Sequence, residues 1–131
     1  MMTQPEIDRL IAKAFAHADK IGIRVAVAVC DPGGRLAALR RMDGVIPVAT
    51  TAVVGKARAA SIFGLPTSLL ASLQDNPNIQ ALAATEGGLL LASGGLPFHR
   101  DGGLVAGFAV SGGTGEQDEA CAKAALEPDE V

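Results

Sequence analysis

Apolar residues at Ile7, Leu10, Ile11, Ala14, Phe15, Ala18 and Ile21 recur at steps of three and four. That spacing makes one stripe of an amphipathic helix, and Gly22 is its predicted stop. The period then changes. IRVAVAVC, residues 23–30, alternates as a strand, with Ile23, Val25, Val27 and Val29 on one face and Arg24, Ala26, Ala28 and Cys30 on the other. Asp31-Pro32-Gly33-Gly34 is turn chemistry, and RLAALRRM, residues 35–42, reads as the return strand of a hairpin. Pro47 opens a second helix that runs to about Phe63, with Gly64 as its stop.

A shorter helix is expected from about Thr67, broken at Asp75-Asn76-Pro77, with one or two further helical turns over 78–85. From Gly87 the chain is cut into short apolar pieces: LLLA, then GLPFHR, then GLVAGFAV. Asp101-Gly102-Gly103 between the last two is a hairpin signal. A final helix is expected from about Gly115 to Leu126, with residues 127–131 as a frayed tail. The order is α–β–β–α–(α)–β–β–β–α. Hairpins rather than crossovers join the strands, so the chain reads as a single α+β domain over residues 1–131, its sheet mainly antiparallel and covered by helices.

Composition narrows the partners. The 131 residues are 49% hydrophobic, yet only four are aromatic, all Phe. Few rings are available to stack bases, and a net charge of −3 without a basic block disfavours duplex binding. No nucleic-acid partner is expected. No apolar run is long enough to span a membrane, and the polar start MMTQPEIDRL is unlike a signal peptide. Cys30 and Cys121 lack ligand spacing and read as buried thiols in a reducing compartment, so a cytoplasmic location is expected.

Four places are candidates for chemistry. Ser111-Gly112-Gly113-Thr114-Gly115 lacks the Lys of a phosphate-binding loop, and the hairpin order excludes a dinucleotide fingerprint. Thr114 with Gln117 forms a capping box, so this stretch is either a scaffold corner or a corner whose glycines admit a ligand. Lys56 falls within the apolar stripe Ala49, Ala52, Val53, Ala60, Phe63 of the second helix. Such a Lys snorkels out, pairs with a carboxylate, or faces a polar cavity, and Asp43 at the entry to the helix is the expected partner. His17 and His99 stand alone, so a metal site is not expected. Each is an edge residue or a single axial donor to haem iron. Of Arg40 and Arg41, at most one points into a given cavity. No nucleophile elbow surrounds Ser61, Ser68, Ser72, Ser93 or Ser111.

The motifs together resemble the GlcG/HbpS family. They are RMDG at 41–44, KARAAS at 56–61, GGLPFHRDGG at 94–103 and AGFAVSGGTGEQDEACAKAAL at 106–126, and the resemblance runs from about residue 5 to 126. It implies a profilin-like α/β/α sandwich with a five-stranded antiparallel sheet, a homo-oligomer of two or more copies, and a pocket for haem or another small molecule. Haem is the cofactor it implies, with His17 and His99 as candidate ligands. Phe98-His99-Arg100 departs from the aliphatic residues of the relatives and suits a more polar ligand. Two functions are therefore expected. One is a binding domain holding haem, a small organic acid or an aromatic compound. The other is a small cofactor-independent enzyme doing lyase- or isomerase-like acid–base chemistry on an organic acid or a small polar carbonyl or aromatic compound, with Lys56 as base or anion binder and Asp43 orienting it. His99 or Arg41 would assist, and Ser111, Gly112, Gly113 and Thr114 would line the site.

Overall fold

The computed structural model describes residues 2–129. Its elements are α1 (Gln4–Ile21), β1 (Ala26–Cys30), β2 (Leu36–Arg41), α2 (Val48–Phe63), α3 (Thr67–Ser72), α4 (Pro77–Glu86), β3 (Gly95–Arg100), β4 (Gly103–Ser111) and α5 (Gly115–Leu126). The strands form one antiparallel sheet in the order β2-β1-β4-β3. The sheet thus has four strands where five are expected.

The missing strand is LLLA, residues 89–92. Gly87, Gly88 and Gly94, at its ends, all take positive φ, which turns the chain away from any strand edge. The Leu90 amide donates instead to the carbonyl of Gly55 in α2 at 3.1 Å. The segment lies on the helix where Gly55 has no side chain: a Cβ there would stand 2.9 Å from that of Leu90. The tail is non-helical over residues 127–129, and residues 130–131 lie outside the described residues.

The alternation of β1 sorts the two faces. Val25, Val27 and Val29 pack with Phe108 and Val110 against α1 and α5, while Ala26, Ala28 and Cys30 pack under α2 with Ala109. The α2 face is built of small residues because the helix backbone sits unusually close. A Cβ on Gly107 would come 2.2 Å from the Ala57 carbonyl oxygen, and one on Gly95 would come 2.8 Å from that of Lys56. Both cysteines are buried, and desolvation pushes their thiols up to about 11, so they stay protonated at neutral pH.

Turn chemistry closes the two hairpins. The Asp31 carboxylate accepts from the amides of Gly33 at 2.9 Å and Arg35 at 3.0 Å, and Gly34 takes φ +81°. Asp101 at φ 53° and Gly102 at φ 81° form the two-residue turn between β3 and β4. No helix among the described residues is long and apolar enough to cross a membrane.

Candidate functional site

α2 faces the sheet with Ala49, Val53, Ala57 and Ala60, and Lys56 sits in the same register, three residues after Val53 and four before Ala60. The side chain cannot snorkel, because it is only 5% exposed. Its ammonium donates to the carbonyl of Val110 at 3.2 Å and to Asp118 Oδ2 at 3.1 Å. The pair is buried at both ends, with 6% and 4% of the two side chains accessible.

Asp118 is placed by the start of α5. Thr114 Oγ1 accepts from the Gln117 amide at 3.2 Å, and Gln117 Oε1 accepts from the Thr114 amide at 2.9 Å, which completes the expected capping box. This fixes the helix phase so that Asp118, Cys121, Ala122 and Ala125 turn inward together. The second oxygen of Asp118 accepts from the Gly113 amide at 2.8 Å. The glycines of the corner are required by close approach. A Cβ on Gly112, whose φ is +137°, would lie 2.3 Å from the Arg24 carbonyl oxygen. A Cβ on Gly94 would lie 2.5 Å from the Val110 carbonyl oxygen and 3.0 Å from Lys56 Nζ. Lys56 and Asp118 come from opposite faces of the sheet and meet where β4 ends, in space that Gly94 leaves open.

Above the pair opens a cleft of about 430 Å³. Ile46, Val48 and Ala52 form one wall, Leu90 and Ala92 the other, and Lys56, Asp118 and Ser111 lie in the floor. Ser111 is 2% exposed, and its hydroxyl oxygen has no hydrogen-bond partner among the described residues. The arrangement offers donors to an oxygen atom at the base of an apolar slot.

Of the residues expected in a site, the structure brings together Lys56, Ser111, Gly112 and Gly113. It does not bring in Asp43, Arg41, His99, His17 or Thr114. Asp43 was the expected partner of Lys56, and Asp118 takes that place because the 41–47 loop leaves Asp43 exposed beside a separate shallow hollow. Arg41 is exposed beside the same hollow. Thr114 spends its hydroxyl on the helix cap. Acid–base help to Lys56 from Asp43 or His99 therefore has no geometric basis. Asp118 was missed, although a charge in the inward stripe of α5 is the same signal that marks Lys56 in α2.

His99 lies exposed at the end of β3, on a second hollow of about 370 Å³ that also holds Arg9, Leu10, Phe98, Arg100 and Leu126. Arg100 stacks over the Phe98 ring at 5.5 Å and pairs with Glu6. Arg9 and Lys13 both pair with Asp129, and Lys13 is the main cause that holds its carboxyl below the usual range. His17 is half-buried on α1 and belongs to neither cavity.

A family model described as "Haem degrading protein HbpS-like" matches residues 2–127. Protein GlcG of Escherichia coli K12 is 35% identical over 113 residues, which cover 85% of this chain and 81% of GlcG. The fold is also similar to solved structures. A crystal structure of a PduOC–haem complex superposes with a TM-score of 0.87 at 26% identity, covering 95% of this chain and 92% of the other. HbpS superposes at 0.84 with 32% identity, covering 95% and 86%.

Proposed function

We propose, for a chain that belongs to the HbpS-like family, that it is a ligand-binding domain whose large ligand is haem. The reading is carried by one observation: a relative of the same fold and 26% identity is a haem complex. The residues of this chain can be tested against that ligand. Haem brings an iron that takes an axial donor, a flat apolar ring and two carboxylates. The Lys56 cleft does not fit it, since among the described residues no His, Cys or Met lines that cleft and the Lys56 amine is tied to Asp118.

The hollow at His99 fits the iron and the ring. It sets an imidazole beside apolar Leu10, Phe98 and Leu126, while Arg9 and Arg100 are paired with Asp129 and Glu6 in the same lining, so the haem carboxylates would have to displace those acids or stay in solvent. His99 would supply the axial nitrogen; His17 is the alternative donor, without a hollow of either kind beside it.

Titrating the apo-protein with micromolar hemin is expected to give a saturable Soret shift. His99→Ala should weaken binding roughly tenfold or more, because even the outer partners of metal ligands are worth 10–100-fold. His17→Ala should leave the affinity as it was. No Soret shift in the wild type, or an unchanged one in the His17→Ala/His99→Ala double variant, would remove this reading.

A further inference from the structure

The Lys56 cleft is a separate place from the His99 hollow, and an inference about it does not rest on the haem reading. Among the residues lining this cleft, only Lys56 and Asp118 are charged. An ammonium has three N–H donors, and here Val110 and Asp118 take two. Ser111, the residue after Val110, adds a hydroxyl that is buried and has no partner among the described residues. Buried polar groups in native proteins are nearly always satisfied, so an orphan in the floor of a cleft marks a place where something else completes the bond.

The charge balance says what that something is. Asp118 already neutralises Lys56, so a carboxylate entering the cleft would add an uncompensated negative charge beside a buried aspartate. A neutral oxygen acceptor takes the free donors without that cost. The walls add the other half of the description, because Ile46, Val48, Ala52 and Leu90 offer only apolar surface.

We propose that this cleft binds a small neutral carbonyl compound with an apolar body, its oxygen accepting from the hydroxyl of Ser111 and from the third N–H of Lys56. Of the organic acid and the carbonyl compound expected from the sequence, Asp118 disfavours the acid and leaves the neutral carbonyl.

Three matched probes test it: acetophenone, benzoate and ethylbenzene, titrated into ¹⁵N-labelled protein and read from the amide shifts of Gly112 and Gly113. Acetophenone should bind saturably and at least about tenfold more tightly than either of the others, the size expected of two new hydrogen bonds. Ser111→Ala should cut acetophenone affinity about fivefold, as for one lost hydrogen bond, and leave ethylbenzene unchanged. Ala52→Phe, which fills the cleft from its half-exposed wall, should abolish binding of all three.

The proposal is overturned if benzoate binds as well as acetophenone, or if Ser111→Ala binds the ketone like the wild type. It is also overturned if no probe shifts these amides at millimolar concentration, which would leave water as the only partner of Ser111. Hemin titration of Ser111→Ala separates the two sites: an unchanged Soret response beside a weakened ketone response is expected, whichever way the haem reading falls.

Discussion

Lys56→Met is expected to lower the free energy of unfolding by roughly 3–5 kcal/mol, the cost of leaving a buried charge without its partner. The abandoned group would be Asp118, 3% exposed and fixed by the Gly113 amide in a floor with no other cation. A loss of that size is a large share of the 5–15 kcal/mol that holds a domain of this kind together. The pair itself need not be stabilising, because two charges have lost their water. The double variant Lys56→Met/Asp118→Leu should therefore recover most of the loss. Urea denaturation of the two single variants and the double gives the comparison. Near-wild-type stability of Lys56→Met would mean that Asp118 reaches water and the floor is not closed.

Gly107→Ala should be nearly as damaging, by about 3 kcal/mol, at the upper end of the range for overpacking. The new methyl would stand 2.2 Å from the Ala57 carbonyl oxygen and 2.8 Å from the Ser61 amide nitrogen. Both obstacles are backbone, so no rotamer relieves them, and α2 must lift from β4. Lifting α2 also moves Lys56 away from the Val110 carbonyl. Gly103→Ala is the control, since its Cβ would meet only the Arg100 carbonyl oxygen, at an ordinary 3.7 Å. Thermal melts should show a fall on the order of 10 °C for Gly107→Ala and little for Gly103→Ala. Equal melting temperatures would contradict the close packing of α2 on the sheet.

These two sites also mark what can be read from the chain before folding. Lys56 was visible because an α-helix repeats every 3.6 residues, and a charge inside an apolar stripe breaks the pattern. The α1 stripe, the Asp31 turn, the Asp101-Gly102 hairpin and the Thr114 cap were visible for the same local reason: each is decided within four or five residues. Pairing across the fold was not. Asp43 is near Lys56 in sequence and Asp118 is far from it. The packing of α2 on β4, whose end leads straight into α5, brings the start of α5 to the middle of α2.

The LLLA segment failed for a related reason. Its residues suit a strand, but Gly87, Gly88 and Gly94 bend it out of the sheet, and the missing side chain of Gly55 lets Leu90 reach the helix carbonyl there, a partner that no local pattern announces. That same diversion builds one wall of the cleft. The orphan hydroxyl of Ser111 is a property of the folded state alone, since nothing in Ala-Val-Ser-Gly-Gly distinguishes a satisfied serine from an unsatisfied one.

The most direct test of the site is the lysine ammonium itself, observed by ¹H–¹⁵N correlation of side-chain amines at neutral pH. A protected ammonium signal is expected from Lys56, absent in Lys56→Met/Asp118→Leu and shifted when acetophenone is added. An amine that exchanges with water as fast as an exposed lysine, or a protected signal that acetophenone leaves in place, would contradict a buried cation poised to receive a ligand oxygen.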